Sequence, residues 1–307
     1  MSVLRITGLR MWLPETARPV LDGVELSVAE GESVALVGES GSGKSLTSRL
    51  ALGLLPSGAG VEGRVVVEGE DVLGASPQRL RELRSRTVAM IFQDPRAGLN
   101  PLRKVGDFLV EGRKGARARA GELVEAVGLE QRVLRQYPHQ LSGGMLQRVM
   151  IAGALMGDPK LLLCDEPTTA LDVTTQAEIV SLLQSLRQRY GTGLLFVTHD
   201  LDLAADITDR VYVMYAGRIA ETGPAATLFS RPRHPYTAAL LAARPRVVKE
   251  SARLATIPGQ PPDLRTELTG CAFAARCPIA GPECRTDRPE LIDQVACHHS
   301  LTGADHA

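Results

Sequence analysis

Gly38-Glu39-Ser40-Gly41-Ser42-Gly43-Lys44-Ser45 lies between an apolar run, Val34-Ala35-Leu36-Val37, and an apolar-periodic run over residues 46–55. Strand, glycine-rich loop and helix in that order are the setting in which G-x-x-x-x-G-K-[ST] cradles phosphates. The glycines let backbone N–H groups turn inward and approach phosphate oxygens without Cβ clashes. The positive end of the following helix faces the same anion. Lys44 is then placed along the terminal phosphates, and the Ser45 hydroxyl becomes a ligand for Mg²⁺. Gly38, Ser40, Gly41, Ser42, Gly43 and Leu46 complete this candidate site, and the pattern predicts a nucleotide-binding protein.

Upstream of the loop, Leu4 and Ile6, then Val24, Leu26 and Val28, alternate with polar residues. That period of two predicts a half-buried antiparallel sheet. Downstream, Val65-Val66-Val67, Gly69 and Val72 read as a hairpin. Short apolar runs at 88–92, 160–164 and 194–197 predict buried strands ending in Gln93, in Asp165-Glu166 and in Thr198-His199-Asp200. Residues 96–156 are mostly helical in pattern, broken by Pro101, Gly115, Gly128 and Pro138. A helix over 174–190 carries Ile179, Val180, Leu183 and Leu186 on one face, with Gly191 as its left-handed cap. Strands 211–214 and 218–221 close this half as a hairpin. Alternating strands and helices predict a parallel α/β sheet preceded by an antiparallel one.

Composition shifts near Arg231-Pro232-Arg233-His234-Pro235, which divides the 307 residues into 1–232 and a Pro-, Gly- and Cys-rich extension, 233–307. A formal net charge of zero gives no global pull toward nucleic acid or an anionic membrane. No apolar stretch approaches the roughly 20 residues that span a bilayer. The N-terminus lacks the basic and long apolar regions of a signal peptide. The expected location is therefore the cytosol, with any membrane contact made through other subunits. Of five cysteines, Cys271, Cys277, Cys284 and Cys297 crowd the extension. In a cytosolic chain that clustering points to metal before disulfides. Their C-x5-C-x6-C-x12-C spacing is neither a common zinc knuckle nor the bacterial ferredoxin run. Spacing alone leaves an iron–sulfur cluster, zinc and unligated thiols all open.

Two carboxylates ending a buried strand are costly without a cation. Asp165 is thus a candidate for the Mg²⁺ shell, and Glu166 for polarising the attacking water. Ser142-Gly143-Gly144, at the start of a helix, offers a second phosphate-facing cradle from an N-cap hydroxyl and free backbone N–H groups. One chain with two anion cradles for one nucleotide predicts a dimer. Each ATP would lie between the phosphate loop of one subunit and the serine-glycine turn of the other.

Leu141-Ser142-Gly143-Gly144, together with residues 38–45, Gln93, Asp165-Glu166, Ala170-Leu171-Asp172 and His199, resembles the ATPase subunit of ABC transporters over residues 1 to about 230. The resemblance implies a RecA-like parallel core, an antiparallel β subdomain and a helical subdomain at about 96–156. It makes Gln93 a Q-loop residue near Mg²⁺ or water, Asp172 a D-loop residue across the dimer and His199 a γ-phosphate contact. It places an aromatic ring against adenine, for which Trp12 is the candidate and Leu13 the alternative by one residue of register.

Tyr137-Pro138-His139-Gln140, Met145, Met150-Ile151-Ala152, Thr168-Thr169, His234-Pro235-Tyr236-Thr237, Ile257-Pro258-Gly259 and Pro261-Pro262 narrow the resemblance to the oligopeptide/dipeptide/nickel importers, D-type subunit. That resemblance implies a [4Fe–4S] cluster on Cys271, Cys277, Cys284 and Cys297, with zinc as the second choice and His298 or His299 as substitute ligands. It also implies partners: a related F-type ATPase as heterodimer, two membrane permease subunits and an extracytoplasmic solute-binding protein, with no nucleic acid. The expected post is the cytoplasmic face of the cell membrane. Peptides are the first expected solute, nickel or another metal chelate the alternative.

A non-transport ABC ATPase is the competitor from a different class. Such chains carry a long coiled-coil insertion or a second cassette, whereas Lys44 and Ser142 are 98 positions apart and one phosphate loop is present. A small-molecule kinase would leave Gln93 and Ser142-Gly143-Gly144 without work. Leu146, where a basic residue is common, and Cys164, in the strand before Asp165, depart from the family pattern without removing a catalytic group.

Overall fold

The computed structural model describes residues 1–169, 171–244 and 256–301. Ala170 lies outside the described residues. Strands β1 (Ser2–Trp12), β2 (Leu21–Ala29) and β3 (Ser33–Val37) lead into the phosphate loop and helix α1 (Lys44–Leu50). Then come β4 (Gly60–Val67), β5 (Glu70–Asp71), α2 (Pro77–Arg86) and β6 (Val88–Ile91). The helical region holds α3 (Val105–Leu109), α4 (Arg117–Ala126) and α5 (Gly143–Leu155). The second half continues with β7 (Leu161–Asp165), α6 (Val173–Tyr190), β8 (Gly193–Thr198) and α7 (Leu201–Ile207). It closes with β9 (Arg210–Tyr215), β10 (Arg218–Pro224), α8 (Ala225–Ser230) and α9 (Pro235–Ala242).

Two sheets result. The antiparallel one has the order β2-β1-β4-β5, and its alternating residues Leu4, Ile6, Val24, Leu26 and Val28 are buried as the period of two requires. The other has the order β10-β9-β3-β8-β7-β6, with all neighbours parallel except the β9–β10 hairpin. Its central strands β3, β7 and β8 are buried at every position, as strands covered on both faces are. β3, β7 and β8 end side by side, which brings the phosphate loop, Asp165-Glu166 and His199 to one edge, the usual ligand crevice of such sheets.

The first helix is shorter than its apolar run. It ends at Leu50, because Gly53 takes a left-handed backbone (φ 64°) and Pro56 follows, so Leu54 and Leu55 are left exposed. Gly191 caps α6 in the left-handed conformation (φ 64°). The helical region packs as one apolar cluster in which Leu123, Val149 and Ile151 are fully buried. Leu146 and Cys164 belong to that cluster, and burial pushes the Cys164 thiol far up, leaving it a packing group.

Among the described residues, the extension builds no core of its own. Tyr236, Leu241 and Phe273 join Ala35, Val37, Val211 and Val213 in one cluster, so the tail completes the cassette's outer layer. His234, almost fully buried, accepts from the Tyr236 N–H at 3.0 Å and donates its own backbone N–H to Glu221 at 3.0 Å. Burial lowers the His234 pKa to about 4, which keeps the ring neutral at physiological pH.

Candidate functional site

The phosphate loop is held open by glycines in conformations other residues resist. Gly38 has φ 150°, and a Cβ there would come within 2.1 Å of the Met214 carbonyl oxygen; Gly43 has φ 107° and faces a Leu21 methyl. Lys44 is nearly buried, and its ammonium donates to the Gly38 and Glu39 carbonyls, both at 2.9 Å. Burial pushes its pKa down while Glu166, Asp165 and Glu39 pull it back up. With two of its three donors held by these carbonyls, the ammonium keeps one for a phosphate oxygen. The Ser42 hydroxyl, also buried, has no hydrogen-bond partner.

Ser45 Oγ donates to Asp165 Oδ1 at 2.6 Å, and Arg49 reaches the other carboxylate oxygen at 3.3 Å. Asp165 is 2 % exposed. A hydroxyl and a buried carboxylate in contact form an all-oxygen donor pair suited to Mg²⁺, which keeps most of its waters and takes one or two protein ligands. Glu166 sits one residue on with a left-handed backbone (φ 48°), a costly conformation that swings its side chain off the strand. Gln93 Nε2 donates to its Oε2 at 3.3 Å and Thr169 Oγ1 at 3.0 Å, while His199 Nδ1 stands 3.4 Å from Oε1. Gln93 and His199 thus both reach Glu166, the neighbour of Asp165 in sequence. Thr169 joins them, and its position three residues after Glu166 is the signal that could have found it.

A cavity of about 480 Å³ runs from this constellation along the phosphate loop. At its far end it is walled by Leu13, Val20 and Arg18, and by Pro261, Pro262 and Leu264 of the extension. Trp12 is not among the lining residues. It ends β1, paired with Gly60 in the antiparallel sheet, and Leu13, the next residue, lines the cavity. Arg18 locks the extension there by donating to the carbonyls of Asp263 at 3.2 Å and Pro262 at 2.8 Å.

Ser142, Gly143 and Gly144 do not line this cavity. Ser142 caps α5, accepting from the Met145 N–H at 3.3 Å, and Asp172 caps α6, accepting from the Thr175 N–H at 3.0 Å and hydroxyl at 2.8 Å. Those Thr175 bonds hold the exposed Asp172 carboxyl below its ordinary range. A Cβ on Gly144 would meet Thr175 at 2.8 Å, so the two caps form one surface. The second anion cradle is therefore no part of the cavity at the chain's own phosphate loop.

All four extension cysteines are free. Burial, and after it the proximity of the other three thiols, pushes Cys297 up to about 11. Four free, buried or half-buried thiols near enough for three to raise the pKa of the fourth are the donor chemistry of a group that takes up thiolate charge. Glu283, Cys284 and His299 also group their ligand atoms within 4.8 Å of one another, a mixed set closer to zinc's taste. His298 instead contacts the Asp287 carbonyl at 2.9 Å.

The ABC transporter family profile matches residues 21–169, and that of the oligopeptide/dipeptide transporter C-terminal region matches 220–284. The dipeptide transport ATP-binding protein DppD of Escherichia coli is 43 % identical over 99 % of this chain and 98 % of its own length. The chain belongs to the ABC transporter ATP-binding family. AppD of Bacillus subtilis, an oligopeptide transport ATP-binding protein, is 41 % identical over 95 % of this chain and 93 % of its own. OppD of Mycobacterium tuberculosis is 44 % identical over 97 % of this chain, which spans about half (51 %) of that relative's length. Among solved structures, the post-hydrolysis dimer of the ATP-binding cassette MJ0796 with ADP and Pi superposes at TM-score 0.63, with 30 % identity over 72 % of this chain and 98 % of that one. The cassette cbiO1 of Clostridium perfringens superposes at 0.66, with 28 % identity over 75 % and 91 %. The fold is thus that of ABC cassettes. Among the described residues, no helix is long and apolar enough to cross a membrane.

Proposed function

We propose that this chain is the ATP-hydrolysing subunit of an importer for peptides, acting at the cytoplasmic face of the cell membrane through partner permease subunits fed by a solute-binding protein. One observation carries this reading: the phosphate loop, Gln93 and Glu166 share a cavity from which Ser142-Gly143-Gly144 are absent. The dimeric solved cassette supports supplying the missing contacts from a second cassette.

In that sandwich the loop N–H groups and Lys44 bind the β- and γ-phosphates. Ser45 and Asp165 would hold Mg²⁺, with Gln93 a further candidate, and the ion would supply charge neutralisation at the phosphoryl oxygens. Glu166, oriented by Gln93 and Thr169, positions a water in line with the γ-phosphate and takes its proton at a carboxylate oxygen. His199, beside Glu166, faces the same phosphate. Ser142 of the second cassette closes the pocket, and Asp172 belongs to the surface that meets it. Leu13 packs against the base.

The second cassette is proposed to be a related F-type subunit. A second copy of this chain is the other arrangement, which the dimeric solved cassette favours. The mass of the ATP-trapped complex separates the two. The four cysteines are proposed to hold a [4Fe–4S] cluster that ties the extension together. Anaerobically purified protein is expected to carry about four irons and four sulfides per chain, and protein with zinc alone or no metal would refute this. Reconstitution of the chain with its membrane subunits is expected to give ATP-dependent uptake of peptide. Uptake of a nickel chelate without peptide transport would favour the metal-chelate reading, and phosphorylation of an acceptor would refute both.

A further inference from the structure

Glu39, the first variable residue of the phosphate loop, is tied to the C-terminal extension at both its backbone and its side chain. Its backbone N–H donates to Tyr236 Oη at 2.9 Å, and its carboxylate receives both Arg276 terminal nitrogens, at 2.8 and 3.0 Å. The Arg276 side chain is 5 % exposed, so this fork-to-fork pair is shielded from competing water. Arg276 also donates to the carbonyls of Pro258 at 2.8 Å and Ile257 at 3.2 Å, and to Tyr215 Oη at 3.2 Å. Every arm of the guanidinium is committed, which fixes its direction. The Glu39 carbonyl in turn accepts from Lys44 Nζ.

Arg276 closes a single turn, Ala274–Arg276, held between two of the clustered cysteines. The Ala274 N–H bonds to the Cys271 carbonyl at 3.1 Å and the Cys277 N–H to the Ala274 carbonyl at 3.4 Å. A short bonded path thus leads from the cysteine segment through Arg276 and Glu39 to the lysine that meets the phosphates, across 237 positions of sequence.

We propose that Arg276 is a positioning residue for the phosphate loop: it holds Glu39, and through the Glu39 carbonyl the Lys44 ammonium, so that the extension sets nucleotide affinity from within the same chain. This rests on the ATP-site reading above. It assigns to the extension work at the nucleotide that the cassette motifs do not call for.

The test is a double-mutant cycle on the full purified chain, read as the equilibrium dissociation constant of a non-hydrolysable ATP analogue with Mg²⁺. Arg276→Ala and Glu39→Gln are each expected to weaken binding about tenfold, within the ordinary range of coupling between sites. The double variant is expected to lose no more than either single one, and Arg276→Lys to recover part of the loss. A residue that merely supports the fold would lower the unfolding midpoint without this non-additivity in affinity. Single variants that bind as tightly as the parent, or losses that multiply in the double variant, would overturn the proposal. If Arg276→Ala does not fold, Glu39→Gln decides alone: a tenfold loss supports the coupling, and an unchanged constant overturns it. Lys44→Ala separates the two levels. A parent chain that binds the analogue no better than Lys44→Ala refutes the ATP site and the coupling with it, whereas a parent that binds well leaves the coupling to stand or fall by the cycle.

Discussion

Glu166→Gln is expected to bind ATP almost as the parent chain does and to hydrolyse it 10²–10⁴-fold more slowly, the range roughly owed to a positioned base. The substitution keeps the side chain's length and its acceptor for Gln93 and Thr169, at 3.3 and 3.0 Å, and removes only the capacity to take a proton. Phosphate-loop contacts stay whole, since Lys44 and Ser45 do not depend on Glu166 for any hydrogen bond. The left-handed backbone at Glu166 is met by glutamine at the same cost as by glutamate, so folding is not the variable. Single-turnover assays with the second cassette present should show ATP retained and phosphate unreleased. Turnover within threefold of the parent would remove Glu166 from the role.

Ser142→Asp should leave nucleotide binding by the isolated chain unchanged and cut turnover of the assembled pair by about 10²–10³-fold. Aspartate caps a helix as well as serine does, so α5 keeps its start and the Met145 N–H its acceptor. What changes is a negative charge presented to the partner's triphosphate. Two like charges about 4 Å apart at an effective dielectric near 20 repel by about 4 kcal/mol, which sets that range. Ser142→Ala is the milder control, costing the cap about 1 kcal/mol without adding charge. Equal turnover in Ser142→Asp and the parent would show that the serine-glycine turn meets no phosphate.

The residues that could be read from the chain are those whose neighbours in space are also neighbours in pattern. Gly38, Lys44 and Ser45 form a site from one loop, and Asp165-Glu166 ends a buried strand because β7 lies two places from β3 in the sheet. Gln93 and His199 follow the ends of β6 and β8, and both reach Glu166. Leu13 or Trp12 at the cavity is a choice of one residue at the end of β1, whose register shifts between Thr7 and Arg10. Arg18 with Pro262, and Glu39 with Arg276, were invisible for another reason. Each joins residues more than 230 positions apart, and no local period encodes such a meeting. The 46–55 run shows the reverse failure, a helical pattern stopped at Leu50 by Gly53 and Pro56.

Where Ser142 lies when ATP is held decides whether two chains share one nucleotide. The Glu166→Gln chain, assembled with its membrane subunits and second cassette and trapped with ATP and Mg²⁺, can be imaged at side-chain detail. The expected structure places Ser142 Oγ within hydrogen-bond distance, about 3 Å, of a γ-phosphate bound on the opposite phosphate loop. A triphosphate enclosed by one chain alone, with every Ser142 remote from it, would contradict the account.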